Sequence, residues 1–228
     1  MNILDSRILL KRSTTAGVIP TIPATSSHTD GTWVASDIYS GETFVNTVDK
    51  RAFVRLGSDI KEIPLQNHYI GESYGGGVVF HTYKGADNLE HGLIVSIVNQ
   101  STSSVYSNID NADSGAISTW DGQSNTNFMK AQTGATSGAW KDADDYTYSG
   151  FSDWYLPSID ELSLLSTNRF NVNKTLSTIG SATQILNDSY WSSTQYSNTS
   201  AIFFTFYNKQ ASSLDKYYTF NVRAIRKY

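Results

Sequence analysis

Apolar and polar positions change rhythm twice along this chain of 228 residues. Residues 13–33, STTAGVIPTIPATSSHTDGTW, scatter Gly and Pro among isolated apolar residues before any period is established, which predicts extended, irregular chain. Residues 41–63, GETFVNTVDKRAFVRLGSDIKEI, hold two β-rich runs on either side of Asp49-Lys50 and predict a hairpin with Phe44, Val48, Phe53 and Leu56 among its apolar positions. A lone hairpin is marginal in water, and the segment before it has too few apolar residues to cover it. The pattern therefore predicts an extended, β-rich stem over residues 1–68 that buries its apolar side chains between symmetric copies; packing back on the larger domain is the alternative.

From residue 69 to 228 the pattern is that of a compact domain. GGGVVFHTYKG (75–85) predicts a turn followed by a strand, and the β-branched run HGLIVSIVNQ (91–100) predicts a buried central strand. Residues 101–126 are rich in Ser, Asn, Asp and Gly and predict a long loop, a length usually kept for function or mobility. Short helical patterns follow around NTNFMKAQ and AWKDADDY. The strongest helix signal is DWYLPSIDELSLL (153–165): Ser158 stands three residues before Glu161, the spacing of a capping box, and Pro157 disfavours helical geometry at Leu156. Ile159, Leu162 and either Leu164 or Leu165 then share a face, so Asp160 and Glu161 read as a helix start and its cap. SYWSST, AIFFTFYN and YYTFNVRAIRKY predict a terminal antiparallel meander, with Phe204, Phe206, Phe220 and Val222 facing the core by alternation.

Composition sharpens this picture. Charged residues are 17% of the chain and hydrophobic ones 39%, so the surface must rely on Ser, Thr and Asn, which suits carbohydrate or protein contact. A formal net charge of −4 argues against a general nucleic-acid binder, although the last residues, NVRAIRKY, are locally basic. The chain has no Cys, hence neither disulfides nor a thiolate metal site. With no apolar run of signal-peptide or membrane-spanning length, the expectation is a soluble protein made in a cytoplasm that does not insert in a membrane.

The ordered series GGGVVFHTYKG, HGLIVS, SGFSDWYLPSIDELSLL, YWSST and FNVRAIRKY resembles the Lcl-type C-terminal domain family over about Gly75 to Tyr228. The resemblance implies an α+β, C-type-lectin-like module with a twisted antiparallel sheet and two short helices, of the kind that ends phage fibres and bacterial collagen-like adhesins. It also implies that Tyr190–Thr194 is a core strand and Val222–Arg226 the closing strand. GETFVNTVDKRAFVRLG in addition looks like the stems of phage tail-fibre and tropism-determinant proteins, which assemble as trimers or attach to the virion.

No catalytic constellation emerges. His28, His68, His81 and His91 are scattered without metal-ligand spacing, and there is no G-x-S-x-G elbow. Gly75-Gly76-Gly77 precedes a strand and so lacks the helix dipole that holds phosphate. The loop NIDNADSG offers Asp110, Asn111 and Asp113 as hard oxygen ligands for Ca²⁺, but not with EF-hand spacing. No metal or other cofactor is expected. A contact surface fits better, because Tyr and Trp supply stiff amphipathic area while Ser, Asn and Gln supply adaptable hydrogen bonds. The candidate receptor-binding residues are Gln195, Tyr196, Asn198 and Ser200 in one turn, and Tyr207, Asn208, Gln210, Ser212, Lys216, Tyr217 and Tyr218 in the next. The expectation is a non-enzymatic phage virion protein, a homotrimeric tail or head fibre. Its residues 1–68 would meet other virion proteins and its lectin-like head would bind a host-surface glycan or protein. The alternative is a bacterial surface adhesin for polysaccharide or glycosaminoglycan, favoured by the basic residues Arg223, Arg226 and Lys227.

Overall fold

The computed structural model describes residues 11–15, 17–23, 34, 36–47, 51–63, 67–87 and 89–228. The chain divides into two compact units, Met1–Asn67 and His68–Tyr228.

In the first unit, β1 (Lys11–Ser13), β2 (Thr43–Asn46), β3 (Arg51–Leu56) and β4 (Asp59–Ile63) form a sheet in that order. β1 joins β2 in parallel; the other pairings are antiparallel. The expected hairpin is β2–β3, with Phe44 and Phe53 buried. Its turn at Asp49-Lys50 and Val48, like His28, lie outside the described residues. Leu56 is exposed, contrary to the alternation, because it pairs with Asp59 where β3 turns into β4. The unit also has a core of its own, which the sequence pattern did not anticipate: Ile38, Phe44 and Phe53 are buried, and Val18 from the irregular segment and Ile60 pack on them. Polar anchoring replaces missing apolar area, as Asn46 Nδ2 donates to the carbonyls of Thr15 and Val18 at 2.9 and 3.0 Å.

The second unit carries two sheets. β5 (Ser73–Tyr74), β6 (Gly77–Lys84), β7 (Glu90–Ser96) and β13 (Ile225–Lys227) make one, in the order β13-β7-β6-β5. β8 (Ser101–Val105), β9 (Ser189–Gln195), β10 (Ser200–Thr205), β11 (Gln210–Asp215) and β12 (Thr219–Val222) make the other, in the order β11-β10-β9-β12-β8. Among the described residues of this unit are three helices where the resemblance implied two: α1 (Gly122–Ala131), α2 (Ala139–Asp144) and α3 (Ile159–Leu176). The predicted meander holds for β9–β10–β11. YYTFNVRAIRKY does not continue it: β12 pairs in parallel with β9 and antiparallel with β8, and the chain then crosses to place β13 beside β7.

Burial on both faces explains the continuous apolar runs of β6 and β7. Val78, Phe80, Leu93 and Val95 face one core with Leu162, Leu165, Val172 and Leu176 of α3, Tyr190 and Phe204. Val79 and Ile94 face a second core with Met129 of α1, Trp140 of α2, Trp154 and Trp191. Adjacent residues thus serve opposite cores, as the two-residue period of a strand requires. The capping box at α3 forms as its spacing predicts: Ser158 Oγ accepts from Glu161 N, and a Glu161 carboxylate oxygen accepts from Ser158 N at 2.8 Å. That carboxylate also accepts from Gly122 N and from Tyr155 Oη, so it joins the starts of α1 and α3, and burial raises its pKa above the usual carboxylate value. Among the described residues no helix is long and apolar enough to cross a membrane.

Candidate functional site

Strand register decides which predicted contact residues meet. Ser200 pairs with Asp215 and Thr205 with Gln210 across β10–β11. The turn 196–199 therefore stands beside the turn 216–218 at one end of the five-stranded sheet, while Tyr207 and Asn208 occupy the other end. A six-residue strand separates the ends by roughly 20 Å. The predicted single turn from Tyr207 to Tyr218 is instead two turns about β11, whose residues Gln210 and Ser212 are exposed on an edge strand. Asn208 Nδ2 donates to Gln210 Oε1 at 3.0 Å at the far end. The set of eleven candidates is thus two sets.

At the first end, Tyr196 is 69% exposed, and Tyr217 and Tyr218 are exposed with their rings stacked at 4.8 Å. Hydrogen bonding to Asp215 and Tyr218 pushes the Tyr217 hydroxyl up to about 12, so it remains a neutral phenol at physiological pH. Asn198 is exposed and Ser200 half-buried, its hydroxyl 2.6 Å from that of Ser197.

Gln195 and Lys216 are buried, and this corrects their assignment to the contact surface. Both turn inward to organise the loop 106–121. Gln195 Oε1 accepts from Ser114 N and Ser114 Oγ at 3.0 and 2.6 Å, and its Nε2 donates to Asp113 Oδ1 at 2.9 Å. Lys216 Nζ donates to the carbonyls of Ala112 and Asn198, each at 2.8 Å, and lies over the Tyr106 ring. Burial lowers the pKa of this ammonium, while Asp113 and Asp110 oppose the shift. One cationic side chain thereby ties the acidic loop to the 196–199 turn. Of the loop oxygens that had suggested Ca²⁺, Asp113 Oδ1 accepts from Gln195 Nε2 and from Gly115 N, while the exposed Asp110 acts on Lys216 through its charge. Among the described residues no group of three or more His, Cys, Asp or Glu side chains is placed to share a metal ion.

The predicted loop 101–126 is shorter than expected, because its start is β8 and its end is the first turn of α1. What remains adds two exposed residues that the sequence reading passed over. Gln195 N donates to Ala116 O at 2.7 Å and Thr194 Oγ1 to Ser118 O at 2.9 Å, so the loop runs along the end of β9 and presents Ile117 and Trp120 there. Trp120 is 71% exposed. A tryptophan inside the polar stretch SGAISTWDG was the available signal. The rim thus comprises Tyr196, Tyr217, Tyr218, Trp120, Asn198 and Ser200.

The basic carboxyl end does not form a surface patch. Arg223 is wholly buried and donates to Ser96 O, Asn99 Oδ1 and the carbonyl and hydroxyl of Thr183; burial pulls its pKa down to about 10. Arg226 pairs with Asp153 and Lys227 with Asp121. A cationic surface lies elsewhere: the exposed Lys174 and Lys209 and the half-buried Arg169, which donates to Asn187 Oδ1 at 2.7 Å, line an open groove of about 500 Å³ along α3, beside Phe170, with no acidic residue in its lining. His81 is half-buried, and burial lowers its pKa; His91 contacts Asp87 and His68 contacts Glu72, each at 2.9 Å.

The model of the Lcl C-terminal domain matches residues 107–226, more than half of the chain. The chain belongs to the Lcl C-terminal domain family. The Lcl match begins in the loop that carries the rim and runs through β12 into β13, so it contains both sets of candidate residues. It leaves out GGGVVFHTYKG and HGLIVS, which the sequence reading had counted with the family. A crystal structure of a fimbrial protein from Bacteroides ovatus ATCC 8483, at 1.85 Å resolution, is similar with a TM-score of 0.55 and 13% identity; the alignment covers 95% of this chain and 68% of that one. The likeness is one of fold. None of the curated proteins matches the sequence.

Proposed function

We propose that this protein is a non-enzymatic attachment protein whose second unit, a C-type-lectin-like module, binds a glycan on a host or neighbouring surface through the rim of Tyr196, Tyr217, Tyr218 and Trp120. The observation that carries the reading is that the exposed Tyr196, Tyr217 and Tyr218 share one end of the five-stranded sheet with Asn198 and Ser200, and that the loop bearing the exposed Trp120 runs along the same end of β9. Aromatic faces stack on sugar rings, and amides and hydroxyls pair with sugar hydroxyls. The Lys216 and Gln195 contacts hold the two turns and the loop in place before a ligand arrives, which lowers the ordering cost of binding.

The setting that suits the sequence motifs is a virion fibre, trimeric, with residues 1–68 meeting other virion proteins. The neighbour described as a fimbrial protein supports a cell-surface setting for the same attachment chemistry. The acidic-polysaccharide reading gains a site different from the one first expected: the groove of Arg169, Lys174 and Lys209, in place of the carboxyl-terminal basic residues. A glycan array probed with the full chain at low and high salt separates the two ligand classes. Stacking on neutral sugars persists at high salt, whereas binding through the groove falls sharply.

A further inference from the structure

Two tight hairpins, neither of which contributes a residue to the rim, meet tip to tip. In the first, Tyr74 and Gly77 are paired across Gly75-Gly76, whose φ angles are 56° and 81°. In the second, Tyr148 and Phe151 are paired across Ser149-Gly150, with φ 54° and 85°. Positive φ at both central positions is the signature of the turn that best matches strand twist, and it favours Asn or Gly at the first position. Ser149 adopts it without being either, as Lys209 does with φ 57° in another turn, so this tip carries some backbone strain.

The tips touch because the first has no side chains. A Cβ on Gly76 would lie 3.1 Å from both Tyr148 O and the Phe151 ring, and one on Gly75 would lie 2.8 Å from Arg226 Nη1 and 2.7 Å from Ile94 Cδ1. Arg226 locks the pair. Its guanidinium donates to Gly75 O at 3.3 Å, lies 4.0 Å from the Phe151 ring centre, and holds Asp153 through two bonds of 2.7 and 2.9 Å. Between the tips is a cleft of about 270 Å³, with Ile97 and Ile179 in its lining, the hydroxyls of Ser73 and Ser149, and the rings of Tyr74 and Tyr148. Both rings are well exposed, at 41% and 39%. A hollow of about 380 Å³ shares Tyr148 and Ser149 and extends along residues 147–152.

Two exposed rings, two hydroxyls, glycine backbone within reach and no charged side chain in the lining specify an uncharged ligand with apolar faces and many hydroxyls. The volume is just below the roughly 300–1,000 Å³ of drug-sized sites, so the ligand is small. We infer that the cleft between the Tyr74–Gly77 and Tyr148–Phe151 hairpins is a second saccharide site, taking one neutral pyranose ring, separate from the rim. It shares only the ligand class with the proposed attachment function.

The test is a titration of the isotope-labelled full chain, followed by NMR, with the methyl glycosides of glucose, galactose, mannose and N-acetylglucosamine, and with adenosine as a flat-ring probe. At least one glycoside is expected to shift the amides of Gly75, Gly76, Ser149 and Gly150. Tyr148→Ala should weaken that binding about tenfold, the loss of one ring contact. Ser149→Gly relaxes the backbone and removes the hydroxyl, so it should weaken binding while raising thermal stability. Tyr196→Ala should leave these shifts unchanged, which separates failure of the cleft from failure of the rim. No shift at these amides with any glycoside, or a shift with adenosine alone, overturns the inference.

Discussion

Asp153 accepts from both Nε and Nη2 along one edge of the Arg226 guanidinium, which lies against the Phe151 ring, and this geometry gives a pH dependence. Hydrogen bonding and charge from Arg226 lower the Asp153 pKa below its ordinary value of 3.8. Because the folded value is depressed, the pair's stabilisation is present above pH 3.8 and is lost as pH falls through the lower folded value. With the carboxylate half exposed, the contribution is about 1 kcal/mol or less. Asp153→Asn should therefore be slightly less stable than the natural chain in urea at pH 7, and the gap should close toward pH 2. A gap independent of pH would contradict this account. At this scale the sequence was least informative. A basic stretch reads as surface until one knows that the chain bends between β12 and β13, which turns Arg223 into the core and Arg226 onto a neighbouring hairpin.

Elements with a strong local signal were legible. The capping box of α3, the turn before β6 and the double-sided burial of β6 and β7 all follow from short stretches of chain. β8 and β11 were not, because STSSV and QASSLD have no apolar alternation; they are edge strands whose place is set by their neighbours' open hydrogen-bonding edges. The inward course of Lys216 is hidden for a similar reason, since nothing local announces that a lysine in a turn will point inward. Its role gives a prediction for the loop and turns it joins. Lys216→Met leaves Ala112 O and Asn198 O without their donor, which costs about 1–3 kcal/mol. Amide hydrogen exchange should quicken in residues 107–116 and 196–199 while β6 and β7 stay protected. Uniform quickening across the second unit would show that Lys216 supports the whole fold and not the rim.

For the whole molecule, the α+β class was readable from the succession of strand and helix patterns, and the family from motif order. The split of the contact residues between two ends of a sheet was not, since it depends on strand register. The core of the first unit was missed because Val18, Ile38 and Ile60 come from three separate segments, none periodic alone. The proposed trimer predicts a light-scattering mass three times that of the 25.2 kDa chain at micromolar concentration; a monomer mass would remove it. The rim is tested most directly by calorimetric titration of the best glycan found on the array into the full chain and two variants, Tyr196→Ala/Tyr217→Ala and Tyr207→Ala. The account predicts at least tenfold weaker binding for the double variant and unchanged binding for Tyr207→Ala, at the opposite end of the sheet. Equal affinity for the double variant and the natural chain would contradict it.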